Sequence, residues 1–436
     1  MLTKSKTNSC YLTCTNHLRG SVQTPSAHKL YAFDAHNHVH LSLDGGIPAL
    51  SKDEIMLSSG ADQILCQSEE IDHLPSMVCE PNELNIHAKN ILHAIMLGDE
   101  GKEETGKSEF QLSGIALMST QPRDFPVVKK LSDHILRESQ EHSDEKKESV
   151  DSVIRIVRNY GVHPWFLREA QLDFSGINNS DPAFILNKSL NPPWLPFLKL
   201  KLESDPNAHI GEIGLDGARY EIDPDSNERI LVSNMESQLE AFEAQMHLAA
   251  DMDRSVSIHA VQCWGPLMDS LRGLKEMRSK WKKDRKADRK ELKRKLELCK
   301  DKGGPNYDAL LERWKKMDED VLVFPRNIYF HAFGGKAAIV DQLDAICRNK
   351  NFAPGSSSEI FFGFAPVVNF KSHKTPSVIQ KVGIHRLVLE TDVEDCSRLC
   401  LDLESSVEYI AKALNMEKEE VLKQTSDNAR RLYRLH

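Results

Sequence analysis

The chain has no apolar run that approaches the length of a membrane span. Its first twenty residues, MLTKSKTNSCYLTCTNHLRG, hold no apolar stretch of the kind a secretory leader needs. Secretion and membrane insertion are therefore not expected, and the cytosol or the nucleus is the expected compartment. Nine cysteines occur, an odd number, and none of them forms a CxxC unit; Cys10 and Cys14, like Cys396 and Cys400, stand four apart. Reduced thiols fit that pattern better than a disulfide framework. Excess positive charge is missing too. The 65 Asp/Glu against 56 Lys/Arg leave a net charge of −9, so no general field draws in a polyanion and any such affinity must be local. No Gly-rich dinucleotide or phosphate loop follows an early apolar run, which argues against a doubly wound nucleotide-binding sheet.

What is present suits a soluble globular protein: 40% hydrophobic and 28% charged residues. Eight short runs rich in β-branched and aromatic residues recur with longer polar or helix-like stretches between them. They predict strands at 31–38, 114–119, 154–162, 209–215, 255–261, 327–333, 359–365 and 386–391. Their number and alternation predict an α/β fold, a (β/α)8 TIM-type barrel. At 436 residues the chain exceeds the roughly 250 of a bare barrel, leaving room for helical and charged loop insertions. The expected organisation is a polar N-terminal extension over 1–30 and one barrel domain over 31–436, with insertions near 52–110 and 265–325. Within the second insertion, residues 275–300 hold 13 Lys/Arg against 5 Asp/Glu, with Trp281 among them. That stretch reads as a long charged helix or helical hairpin. A solvated helix face is the commoner fate of such a run, and contact with a DNA or RNA backbone is the alternative.

Ionisable residues fall at or near the C-terminal ends of several predicted strands, where barrel active sites are built. Strand alternation places Asp34, His36 and His38 on one face, so that the two imidazoles can converge on one ion. An isolated His-x-His is more often an edge-strand or loop pair, so the later residues carry the argument. Glu212 lies inside the apolar strand HIGEIGLD, where an unpaired carboxylate is expensive to bury. Either a metal or an arginine such as Arg219 would neutralise it. His259 and His331 each end a run of strand formers, and Asp392 ends the last strand, with Glu390 two residues earlier on the same face. His163, before Pro164, is expected near the third strand exit.

The ordered motifs D-x-H-x-H at 34–38, GVHP at 161–164, GEIGLD at 211–216, the strand-end His259, HAFGG at 331–335 and LVLETD at 387–392 together resemble those of the TatD family of metal-dependent deoxyribonucleases. The terminal NARRLYRL is similar to that family's closing helix. The long insertions resemble those of a eukaryotic branch of that family. Val261 stands where family members commonly carry an arginine, two residues after the fifth-strand histidine. Carried over by motif, the resemblance implies two divalent ions. His36, His38, Glu212 and Asp392 hold one, and Glu212, His259 and His331 hold the other. Glu212 bridges the pair. His163 contacts substrate or orients a ligand, and Asp392 and Glu212 are the catalytic carboxylates. Magnesium is the ion that the resemblance implies, with manganese or zinc compatible with the imidazoles. The implied reaction is phosphodiester hydrolysis of DNA, or RNA, by a metal-activated water. An amidohydrolase-type enzyme acting on another bond, and a non-catalytic interaction protein on the same barrel, are the rival expectations.

Overall fold

The computed structural model describes residues 31–38, 111–146, 154–175, 192–222, 229–300, 305–316, 321–348 and 358–435. The expected extension over 1–30 and the insertion near 52–110 lie outside the described residues. Nine strands occur among them: β1 (Tyr31–Asn37), β2 (Gln111–Met118), β3 (Arg155–Tyr160), β4 (His209–Asp216), β5 (Tyr220–Ile222), β6 (Arg229–Leu231), β7 (Val256–Val261), β8 (Asn327–Phe330) and β9 (Glu359–Phe362). The helices are α1 (Phe125–Lys146), α2 (Leu167–Ser175), α3 (Leu195–Ser204), α4 (Met235–Asp251), α5 (Trp264–Cys299), α6 (Pro305–Lys316), α7 (Ala337–Cys347), α8 (Pro366–Asn369), α9 (Thr375–Val382), α10 (Leu399–Leu414) and α11 (Lys418–Tyr433).

Seven strands form one parallel sheet in the order β1-β2-β3-β4-β7-β8-β9, and β5 and β6 make a separate antiparallel ribbon after β4. The eighth position of the sheet is filled by Leu387–Val393, which bonds on both sides without becoming a regular strand. On one side Leu387 bridges Phe362, and Val388 N–H donates to Phe362 O at 3.1 Å. On the other, Ala35 N–H donates to Leu389 O at 2.9 Å, Asp392 N–H to His36 O at 3.0 Å and His38 N–H to Val393 O at 2.9 Å. The sheet thereby closes, and the fold is the TIM-type α/β barrel. Within this segment Asp392 sits in the left-handed region, φ 57°. Three strands end two or three residues before the sequence expectation, β9 among them, at Phe362 instead of 365. β8 stops at Phe330 instead of 333, where Ala332 turns at φ 40°, and β3 stops at Tyr160 instead of 162, ahead of the turn at His163–Pro164.

Alternation along each strand separates two buried layers. Phe33, Ala35, Ala116, Met118, Val157, Tyr329, Phe361 and Val388 fill the barrel interior. Their neighbours Ala32, Ile115, Leu117, Ile328, Ile360 and Leu389 pack outward, in the layer the helices cover. The bottom of the barrel is closed by the end of α11. The Tyr433 hydroxyl donates to Ala35 O at 2.7 Å, the Ser255 hydroxyl to Leu432 O at 2.6 Å, and the Asn327 amide to Leu432 O at 2.8 Å. The charged insertion is a helical hairpin. Leu267, Met268, Leu271 and Leu274 of α5 are buried beside the barrel, and Leu292 and Leu296 are buried farther along, where α5 packs on α6. None of the described helices is long and apolar enough to cross a membrane.

His209 belongs to this closed lower end. Ser255 N–H donates to its Nδ1 at 3.2 Å, so the proton is on Nε2, which faces Tyr433 O at 3.2 Å. Burial lowers its pKa to about 4. The unfolded chain binds that proton near pH 6.5, so His209 contributes stability that is complete above pH 6.5 and drains away as pH falls toward 4. The full loss is on the order of 3 kcal/mol. Urea midpoints of wild type and His209→Gln at pH 7.5 and 4.5 test this. The variant is expected to lose less stability than wild type between those two values, and an equal acid loss would remove the assignment.

Candidate metal centre

The structure gathers all seven sequence-predicted side chains at the C-terminal mouth of the barrel. His36 and His38 come from the end of β1, Glu212 from β4, His259 from β7, and Asp392 from the closing segment. His163 and His331 lie just past β3 and β8. Glu212 is the common neighbour. Its Oε2 lies 2.9 Å from His38 Nε2 and 3.4 Å from His36 Nε2. Its Oε1 lies 2.9 Å from His259 Nδ1, 3.3 Å from His163 Nε2 and 2.5 Å from His331 Nε2. Asp392 Oδ1 stands 3.6 Å and 3.7 Å from the Nε2 atoms of His36 and His38. Glu212 is 3% exposed and Asp392 17%, so the cluster opens to solvent on the Asp392 side.

Three sets of potential ligand atoms lie within 4.8 Å of one another: His36, His38 and Asp392; His36, Glu212 and His331; and His163, Glu212 and His259. The carboxylate thus has one oxygen toward the β1 histidines and the other toward three imidazoles, the arrangement a bridging ligand requires. His163 belongs to the third of these sets, with Nε2 3.3 Å from Glu212 Oε1. Arg219, the rival partner for Glu212, lies elsewhere, over Trp165.

Other groups fix the orientation of these rings. Met118 O can only accept, so His38 Nδ1, 2.9 Å away, carries a proton and Nε2 faces the centre. His36 Nδ1 meets the Ser257 hydroxyl at 3.0 Å. His259 Nε2 meets Asp216 Oδ2 at 3.0 Å. Sequence reasoning missed Ser257 and Met118, which carry no signal of their own. Asp216 carried one: it lies four residues beyond Glu212 on the same strand face, at the strand's end. Asp34 is not among the ligand sets. Its carboxylate accepts from the Thr391 hydroxyl at 2.7 Å, Thr391 N–H at 3.1 Å and His36 N–H at 3.2 Å. Burial pushes its pKa up to about 7 despite these bonds. Glu390 lies below the cluster, bonded by Ala332 N–H at 2.7 Å and by the Tyr329 hydroxyl.

Gly214 makes the approach of two ligand strands possible. It sits at φ 147°, and a Cβ there would meet the His259 carbonyl oxygen at 2.0 Å. Any side chain at 214 would push β7, and His259 with it, away from Glu212.

Five imidazoles surround one carboxylate, and the pKa of each group follows from these neighbours and from burial. Burial opposes charge on Glu212, yet the positive fields of His331 and His163 and the hydrogen bonds from His163 and His259 hold its pKa well below the usual carboxylate range. Burial likewise opposes charging His38, and Glu212 with Asp392 behind it outweighs burial and lifts the pKa to about 9. For His259, Asp216 and then Glu212 do the same, again to about 9. Burial dominates at His163, lowered to about 4, and at His36, lowered well below the ordinary value. His331 supplies the test of fit. It is 5% exposed, and neither ring nitrogen has a hydrogen-bond partner. Its 2.5 Å approach to Glu212 lacks hydrogen-bond geometry. A buried imidazole without a hydrogen bond is costly, and a cation between its nitrogen and the carboxylate would remove that cost. Imidazole nitrogens with carboxylate oxygens form a donor set for zinc or manganese, and the carboxylates suit magnesium as well.

The chain is similar to known proteins of one family. The family model described as "TatD related DNase" matches residues 98–434. Cut9-interacting protein scn1 of Schizosaccharomyces pombe is 25% identical in an alignment of 306 positions that covers 63% of this chain and 83% of that protein. Among solved structures, a TatD family hydrolase of Entamoeba histolytica aligns at TM-score 0.40 with 14% identity, covering 74% of this chain and 85% of the other. YJJV, a TatD homologue of Escherichia coli, aligns at TM-score 0.42 with 15% identity, covering 74% and 88%.

Proposed function

Because the chain belongs to the family of TatD-related DNases and is a hydrolase of that family, we propose that it cleaves phosphodiester bonds of DNA at the barrel mouth, using two divalent ions. The observation that carries this reading is Glu212 itself. One buried carboxylate presents its two oxygens to two separate groups of ligand atoms. His36, His38 and Asp392 with Glu212 Oε2 would hold one ion, and His259, His331 and His163 around Glu212 Oε1 would hold the second. When bound, the ions supply an activated water at neutral pH and neutralise charge on the phosphoryl oxygens. Magnesium is the ion we assign to them, since its partner would be a phosphate substrate.

The chain's own groups do the rest. Glu212 fixes both halves of the centre at one spacing. Asp216 holds the His259 ring so that one nitrogen faces Glu212. Asp392, the most exposed of the carboxylates at the centre, is placed to take a proton from the attacking water, and its pKa is raised, chiefly by burial. Asp392→Asn is expected to lower kcat by roughly a hundredfold with both ions retained. Cleavage at an undiminished rate with full metal occupancy would exclude the base role.

Metal analysis before and after chelation, followed by incubation with single-stranded DNA, tests the whole reading. Two ions per chain and metal-dependent cleavage are expected. Full occupancy without cleavage would point to another hydrolytic substrate. A second reading has one observation in its favour, the name of the fission yeast relative as a Cut9-interacting protein. On that reading the barrel is a protein-docking scaffold, and absence of bound metal would favour it.

A further inference from the structure

Arg219 is exposed, and its guanidinium has no hydrogen bond or ion pair among the described residues. It lies with Cζ 4.7 Å from the centroid of the Trp165 ring. Five N–H donors in a planar fork, stacked on one face and otherwise open, are suited to gripping an oxyanion in bidentate fashion. Stacking on the indole holds the cation in place without neutralising it.

Its position is tied to the centre by a single carboxylate. Asp216 Oδ2 bonds His259 Nε2 at 3.0 Å and accepts from Trp165 Nε1 at 2.8 Å. Asp216 Oδ1 accepts from the backbone N–H of Ala218 at 2.6 Å and of Arg219 at 3.0 Å. The same side chain therefore aims a candidate ligand, fixes the indole platform and anchors the backbone of Arg219. The platform also touches the cluster directly. The Trp165 ring centroid is 4.9 Å from that of His163 and 6.0 Å from that of His259. Gly217 N–H donates to Val261 O at 2.8 Å, so the segment leading to Arg219 runs across the end of β7, beside His259. Two side chains, Trp165 and His163, separate this exposed cation from Glu212.

We propose that Arg219, seated on Trp165, binds a phosphate of a polynucleotide substrate next to the one being cleaved, and so selects a chain of phosphates over a single phosphodiester. This inference rests on the phosphodiesterase reading. Arg219 is a substrate-binding residue on this account, and it takes no part in water activation.

Arg219→Gln and Arg219→Lys are compared with wild type on an oligothymidylate, an oligouridylate and bis(p-nitrophenyl) phosphate, with metal present. For Arg219→Gln the oligonucleotide KM is expected to rise about tenfold with kcat within roughly twofold, and the small diester to be hydrolysed as by wild type. The slope of log KM against log salt is expected to fall by about 0.7, one phosphate contact on a single strand. Arg219→Lys restores the salt slope and only part of the affinity, because the charge returns without the fork. The two oligonucleotides separate DNA from RNA as the source of the phosphate. Equal losses on all three substrates, or no loss on any, would overturn the proposal. If no substrate is cleaved, the phosphodiesterase reading itself fails. Fluorescence anisotropy of the same oligonucleotides still decides on Arg219 in that case: weaker binding by Arg219→Gln supports its phosphate contact, and unchanged or absent binding removes it.

Discussion

Replacing Glu212 by glutamine is expected to lower metal-dependent phosphodiester hydrolysis by about a thousandfold and to take bound metal from two ions per chain to one or fewer. Glutamine has the volume of glutamate, so the barrel need not repack. What changes is charge and the number of acceptors. The two carboxylate oxygens, each shared with several imidazoles, become one weak acceptor and an NH2 group directed at ring nitrogens. The apoprotein should tolerate this. Once the carboxylate is gone, His38 and His259 lose much of the field that lifts their pKa to about 9, and each can shed its proton rather than remain an unpaired buried cation. Thermal denaturation in chelator is therefore expected to shift by only a few degrees, about 1 kcal/mol or less. Added metal should raise the wild-type midpoint and barely move that of the variant. Inductively coupled plasma analysis gives the stoichiometry. Two ions retained in Glu212→Gln would show that the carboxylate does not bridge, and the two groups of ligand atoms would then have to be independent.

The sheet was legible in the sequence because its strands are buried on both faces. Runs such as NIYF and EIFF read as near-continuous apolar segments, and such segments mark the strands of a covered parallel sheet. Site residues stood out for the opposite reason. Glu212, His259 and His331 are polar residues in or next to segments that exclude polar residues, which is informative because burial without a partner is expensive. What was not legible depends on contacts across the barrel. Ser257 and Met118 O orient His36 and His38 from other strands, and nothing in their own neighbourhood marks them. His163 was placed near the site by GVHP, but its 3.3 Å approach to Glu212 depends on how β3 lies against β4. The long basic segment was correctly read as helix because its Lys, Arg, Glu and Leu are strong helix formers. Composition alone does not say what such a helix touches.

Asp34 separates two roles that its motif confounds, and its substitution should have the largest effect on stability of the changes considered. Strand alternation read from the sequence puts its side chain on the face that carries His36 and His38, which makes it look like a third ligand; β1 instead breaks register with β2 between Asp34 and Asn37, so the alternation does not carry through. The structure uses it as a brace instead. Its carboxylate ties β1 to the closing segment through Thr391, one residue before Asp392, and it also accepts from His36 N–H. Removing it in Asp34→Ala leaves a buried hydroxyl and two buried N–H groups without their acceptor, at about 1–3 kcal/mol for each unmet group. Partial relaxation should bring the total to about 3–5 kcal/mol, among the largest single-residue effects. The seam that loosens joins the strand carrying His36 and His38 to the segment carrying Asp392, so metal affinity should fall with stability. Asp34→Asn is the discriminating variant. It keeps one carbonyl acceptor for Thr391, so it should fold, lose roughly half as much stability and still bind two ions per chain at saturating metal. Urea unfolding and metal analysis on the same preparations give both readings. Loss of one ion in Asp34→Asn, with stability unchanged, would make Asp34 a ligand and require the barrel mouth to rearrange around it when metal binds.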